Sequence, residues 1–363
     1  MSKRAKGFKG IVIDFNTVNL YKDYIVTWFA NVATHYLIGK RVEVTKEKDL
    51  NDLCQKANEY VSMLREKRKG EGKKDKVIDV CEEIPLSLTR DDNRELFMLC
   101  KAIDHICSAA QGKTGFIGLP PALSLEFAEH IRTYMPEVSQ SYSKRKNVGV
   151  ALHMLGLAVL GAHIARTYVI RKEREGRGEE EIVYTYADVP ISGDIDFRKL
   201  HGMVGSVVSS VMRGEGGRLT LLCGAASAIV LNYGRKLRET TGLVLESVRT
   251  MKSGRKVMLK AFEALDLTDL ARTIFRLGIA GPIYNLTSNY PATNTREARL
   301  VKSFIENLSK AIITHYSIRD LQELYRTLRA LTSETTINAL KVIYGSEDLW
   351  KEIYEGLLEV KVL

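Results

Sequence analysis

The chain of 363 residues has only five cysteines, and no two of them stand in a C-x-x-C spacing. That excludes a sequence-readable zinc ribbon and a thioredoxin-type redox motif. Cys54, Cys100 and Cys107 fall on the apolar stripes of expected helices, and Cys81 and Cys223 stand apart. The expectation is buried thiols in a reducing compartment, not a disulfide frame. The seven histidines are scattered and show no H-x-x-x-H or H-E-x-x-H spacing. No G-x-S-x-G nucleophile elbow occurs, and no Cys/His pairing stands out. Glutamine is scarce, with four residues against many Lys, Arg and Glu. That balance is the one seen in proteins of thermophiles. The basic start, Met1 to Gly10, leads into no apolar signal core, so the expected location is the cytoplasm.

What is present is a surplus of positive charge. Lys and Arg number 54 against 44 Asp and Glu, a net charge of +10, with a pI near 9.2. A surplus of this kind favours a polyanionic partner, nucleic acid before an acidic membrane surface. Hydrophobic residues make up 45% and charged residues 27%. That is ordinary for a folded chain long enough to form two domains.

Phe8 to Phe15 (FKGIVIDF) predicts a core strand. Apolar spacings of three and four predict helices over about 17–37 and 46–68, with a short strand at 41–45 between them. Arg65 to Lys76 (REKRKGEGKKDK) reads as a solvated basic loop with seven basic and three acidic residues. A short strand at 77–80 and helices over 91–110 and 124–134 follow. Val148 to Ala165 has no charged residue apart from two histidines. Eighteen residues is the lower limit of a membrane span, but Gly149, Gly156, Gly161, His153 and His163 favour a helix buried in a protein core. Alternation over 167–173 and 181–186, around Glu175-Gly176-Arg177-Gly178, predicts a β-hairpin. Beyond Pro190 the pattern is helical: 197–212, 219–233, 235–251, 255–264, 268–277, 296–316, 318–331, 334–343 and 346–359. Thr268, Ser317 with Asp320, and Ser346 are the expected helix starts. The fold class read from this is α+β: a mixed domain with a hairpin over 1–190, then an all-helical bundle over 191–363.

Three groups of residues bear on function. Gln111-Gly112-Lys113-Thr114-Gly115 contains a GKT triplet, but it follows a helix where a phosphate loop follows a strand, and it reads as a helix stop. Asp188, Asp194 and Asp196 form an acidic cluster that two divalent ions would need for phosphodiester cleavage. Against a metal nuclease stands the capping preference of aspartate before the helix at Phe197. The third group is basic. Between residues 232 and 260, eight cations (Arg235, Lys236, Arg238, Arg249, Lys252, Arg255, Lys256, Lys260) face two glutamates. On helices, Arg235 with Arg238, and Lys252 with Arg255 and Lys256, would share faces and neutralise phosphates. Arg213-Gly214-Glu215-Gly216-Gly217-Arg218 is either a glycine loop that approaches a nucleic-acid backbone or a plain helix connection. Lys144-Arg145-Lys146 is a further candidate. No metal or cofactor site is expected, and no catalytic residue.

Leu265 to Ala280 (LDLTDLARTIFRLGIA), followed by Pro282-Ile283-Tyr284, resembles the large subunit of archaeal type I-A CRISPR surveillance complexes (Cascade), as does the order of an α+β part before a helical part. The resemblance implies a non-catalytic subunit in antiviral defence. It would help recognise the motif flanking a target and hold guide RNA and target DNA strands. Its partners would be backbone and small subunits, a helicase and a nuclease, with no membrane.

Overall fold

An uncharged run at the centre of the first half organises its packing. The computed structural model describes residues 11–15, 25–39, 47–70, 98–118, 148–174, 177–190, 195–253, 256–319, 322–331, 333–345 and 349–358. The expected strands at 41–45 and 77–80, the helix at 124–134, Lys144 to Lys146, Asp194, Arg255 and Ser346 lie outside the described residues. Two units are distinguished: Met1–Tyr184 with Val248–Phe262, and Thr185–Ser247 with Glu263–Leu363.

In the first unit, β1 (Ile11–Ile13), β2 (Phe116–Gly118) and β3 (Val148–Ala151) form a sheet of order β1-β3-β2. β1 runs parallel to β3, with Ile11 opposite Val148, and β2 runs antiparallel to β3, with Ile117 opposite Val150. The helices are α1 (Ile25–Ile38), α2 (Glu47–Gly70), α3 (Leu99–Ala110) and α4 (Leu152–Ala165). The apolar run therefore opens as a strand and becomes a helix only at Leu152. Twelve of the fourteen residues of α4 are buried, because α1 and α3 both pack on it. Each buried Leu or Val contributes roughly 1.5–3 kcal/mol. The glycines allow this packing. Gly156 lies against the Ala102 carbonyl of α3 and Gly161 against the Phe29 carbonyl of α1, so closely that a Cβ at either would overlap backbone. No described helix is long and apolar enough to cross a membrane.

Two further sequence expectations fail in this unit. α2 continues to Gly70, so Arg65 to Gly70 are helical where a loop is expected; Lys, Arg and Glu are good helix formers. Cys54 and Cys107 are not thiols: they form a disulfide that joins α2 to α3, and Cys100 is disulfide-bonded as well. The apolar stripe places both cysteines at the helix contact, where they meet. By contrast the GKT triplet behaves as expected. α3 ends at Ala110, and Gly112, at φ 74°, donates to the Ala109 carbonyl.

A second sheet has the order β4-β5-β6-β7, from β4 (Arg166–Arg174), β5 (Arg177–Asp188), β6 (Val244–Ser253) and β7 (Lys256–Asp266). β4 and β5 are the expected hairpin, antiparallel with Val169 opposite Ile182. β6 and β7 correct the helices expected at 235–251 and 255–264.

The second unit is helix-rich, as the α+β class requires. It contains α5 (Phe197–Arg213), α6 (Arg218–Tyr233), a 3-10 turn (Gly234–Arg238), α7 (Thr268–Arg276), α8 (Ala280–Ser288), α9 (Arg296–Ile318), α10 (Gln322–Leu331), α11 (Glu334–Tyr344) and α12 (Leu349–Leu358). α6 is its centre and packs on α5, α7, α8 and α9. Cys223 of α6 is fully buried, donates to the Ser309 carbonyl, and burial pushes its thiol up to about 12. α8 escapes the sequence pattern. Pro282 sits in its first turn, where no intrahelical N–H bond is lost. Ser317 starts no helix: it lies in the last turn of α9, which ends at Arg319 in the left-handed conformation.

Candidate nucleic-acid interface

Of the acidic cluster, Asp188 and Asp196 are among the described residues. Asp196 caps α5, its Oδ1 accepting the Lys199 N–H at 3.1 Å. Asp188 ends β5 and raises the Tyr233 phenol further above its usual range, beyond what burial does. Tyr233 donates to the Pro190 carbonyl, which ties α6 to the segment after β5. Among the described residues no three His, Cys, Asp or Glu side chains are placed to hold a metal ion.

The Arg213–Arg218 loop is a clamped helix connection. Arg213 ends α5 and Gly217 caps α6. Glu306 of α9 accepts the Gly217 N–H at 2.7 Å on the same Oε1 that accepts the Tyr290 hydroxyl at 3.0 Å. A Cβ at Gly214 would meet the Tyr290 ring and the Pro291 carbonyl, so the glycine serves packing inside the unit. Arg218 pairs with Glu263 at 3.4 Å on the surface. Such a pair is weak and leaves the guanidinium open to solvent.

The expected stripe over 235–260 is not one element. Arg249 is half-buried on β6, Lys252 lies near the end of β6, and Lys256 begins β7; the side chains of Lys252 and Lys256 are outside the described set. Arg235, Lys236 and Arg238 lie instead on the 3-10 turn, and all three are exposed. Gly234, at φ 53°, ends α6 and starts that turn, a conformation that few other residues tolerate. Leu237 anchors it, fully buried. A 3-10 turn has three residues per turn, so Arg235 and Arg238 share a face after all.

α7 completes the surface. Its start is fixed by a corner: Asp266 Oδ1 accepts the Thr268 N–H at 2.8 Å, and Thr268 Oγ1 accepts the Leu243 N–H at 3.1 Å. Thr268 is thus the first helical residue and not the cap. The hydroxyl and N–H bonds from Thr268 hold the Asp266 carboxyl below its usual range. From this start α7 presents Arg272 and Phe275 toward the turn. Arg272 donates to the carbonyls of Arg238 at 3.4 Å and Thr240 at 3.0 Å, and pairs with Asp269 at 3.1 Å. The Arg238 guanidinium lies 5.9 Å from the centre of the half-buried Phe275 ring, a cation–π contact. Arg276 is exposed and its Nε donates to the Arg272 carbonyl.

The turn and α7 together carry Arg235, Lys236, Arg238, Arg272 and Arg276, with Arg238 over the Phe275 ring and Glu239, Asp266 and Asp269 as acids on or next to these segments. Arginines in such an arrangement bind phosphate oxygens, and an arginine on an aromatic face also offers a flat surface to a base. Sequence reasoning finds the first three cations and misses Arg272, Phe275 and Arg276. The signal for them is the i, i+4 arginine pair in Ala271-Arg272-Thr273-Ile274-Phe275-Arg276. In comparisons with known proteins, no family model and no curated protein matches the chain.

Proposed function

We propose that the chain binds nucleic acid through the surface of the 3-10 turn and α7, as a non-catalytic subunit. The reading rests on one observation: three exposed cations on the 3-10 turn, one of them over Phe275 of α7, a helix that adds Arg272 and Arg276. The sequence resemblance to the large subunit of type I-A CRISPR surveillance complexes extends this reading. Guide RNA and target DNA would then be the ligands, and backbone and small subunits, a helicase and a nuclease the partners. The use of Asp196 as a helix cap speaks for binding over metal-dependent cleavage.

The test is a salt titration of the purified protein on duplex DNA, single-stranded DNA and RNA with Mg²⁺ present, the strands then run on a denaturing gel. Expected are binding that weakens steeply with salt, loss of most of it in the Arg235→Ala/Lys236→Ala/Arg238→Ala variant, and intact strands. Binding unaffected by the variant, or no binding at low salt, would overturn the reading. Cut strands would replace it with a nuclease.

A further inference from the structure

The Cys54–Cys107 bond joins the second turn of α2 to the last turn of α3, and both cysteines are half-exposed. Beside them Asn58, exposed and one turn after Cys54, gives one amide hydrogen to the Cys54 carbonyl at 2.9 Å. Its amide nitrogen also lies 3.6 Å from the Cys54 sulfur and 3.4 Å from the Cys107 sulfur. A donor held against both sulfurs does little for a neutral disulfide and much more for a thiolate, because hydrogen bonds to charged groups are the stronger ones. The two helices also meet through apolar side chains beside the bond. Leu53, Ala57, Tyr60 and Val61 of α2 and Leu99, Ala102, Ile103 and Ile106 of α3 are buried, and Tyr60 also bonds His163 of α4 at 3.0 Å.

We infer that Cys54–Cys107 is a thiol-exchange and modification site for a low-molecular-weight thiol such as glutathione. The incoming thiolate attacks the Cys107 sulfur, a new S–S bond forms there, and the Cys54 sulfur leaves as a thiolate with the electron pair of the broken bond. Asn58 donates to that leaving thiolate. Cys107 lies among the last carbonyls of α3, whose dipole disfavours a thiolate on that side, so Cys54 is the better leaving group. A second thiol attacking the outer sulfur of the adduct frees Cys107 and releases the oxidised dimer of the small thiol. Exposed bonds of this kind are the labile ones, whereas buried structural disulfides resist the glutathione pool.

The test uses the full chain, with thiols alkylated at lysis and peptides mapped without reduction. A separate, undigested sample is equilibrated at pH 8 over a range of glutathione redox ratios, and alkylated Cys54 and glutathionylated Cys107 are then quantified. Buried Cys223 is the unreactive reference. Expected are a Cys54–Cys107 linked peptide at lysis, adduct at Cys107 ahead of Cys54, and an unchanged far-ultraviolet circular dichroism spectrum on opening. In Asn58→Ala the value of [GSH]²/[GSSG] at half-opening should rise about tenfold, and further in Asn58→Asp, whose carboxylate repels a thiolate. An Asn58→Ala midpoint equal to that of the unsubstituted chain would overturn the inference. So would free Cys54 and Cys107 at lysis, or a bond that opens only when the helices unfold.

Discussion

Single side chains carry two competing readings that simple substitutions separate. Asp196 is a cap if its carboxylate serves the Lys199 N–H, and a metal ligand if it serves catalysis. Asp196→Ala should cost about 1 kcal/mol in a urea titration, and Asp196→Ser, which keeps an acceptor, should cost clearly less. Neither should change the integrity of bound strands. His153 sets a second expectation. It is buried in α4 against the Phe15 ring, 4.7 Å between centres, and its Nε2 has no hydrogen-bond partner. Burial lowers its pKa below 6.5, and the Asp14 carboxylate only partly opposes this. The unfolded chain therefore takes up this proton first as the pH falls. Stability should drop as the pH falls through about 6.5 and level off once the folded imidazole also protonates. His105, lowered chiefly by burial too, adds to the same slope. His153→Gln should flatten the pH dependence of the denaturation midpoint between pH 7.5 and 5.5, and an unchanged slope would assign the effect elsewhere.

At the level of elements, α4 shows how tightly the first unit is built. Gly161→Ala would drive a methyl into the Phe29 carbonyl of α1, and helix axes cannot separate without parting along their length. A loss of about 3 kcal/mol is expected, read as a lower urea midpoint, whereas Gly202→Ala in α5, which faces open space, should be neutral or slightly stabilising. This same element shows what is legible in the sequence. The buried helix follows from its uncharged run, and its glycines argue correctly against a membrane span. That Val148 to Ala151 pairs with β1 does not follow, since an apolar run has no period to divide strand from helix. The β6 and β7 strands read as helices for a different reason. Lys, Leu, Met, Ala and Glu dominate 244–266 and favour helices locally, but the segment is stabilised by pairing in a sheet whose other strands, β4 and β5, lie far away in sequence. Val244, Val248, Thr250 and Val257 with Ser253-Gly254 are the strand and turn signals in that stretch. Arg272 and Arg276 escape a local reading because their value lies in the neighbouring turn, a tertiary contact that no local pattern records. The disulfide escapes it likewise: cysteines at a helix contact read as core thiols until both helices are placed.

For the whole molecule the question is whether a net charge of +10 acts as a diffuse field or through a site. A diffuse field gives weak, salt-sensitive association wherever the charges happen to lie. A site concentrates the counterion release in a few residues. If Arg235, Lys236, Arg238 and Arg276 each displace about one counterion, they supply roughly 0.9 units apiece to the slope of log Kobs against log salt. Removing the first three by alanine substitution should then lower the magnitude of that slope by about two to three units. The matched control is Lys302→Ala/Lys310→Ala/Arg326→Ala, which removes an equal charge from two other helices of the same unit, α9 and α10. Under the site reading the control slope stays within about one unit of the unsubstituted protein. Phe275→Leu, which keeps apolar bulk but removes the ring beneath Arg238, should weaken binding about threefold or more with no change in slope, because a base stacking on that surface displaces no counterion. Equal slopes for the two triple variants would instead return the basic charge to the molecule as a whole, and the turn and α7 would lose their claim to be an interface.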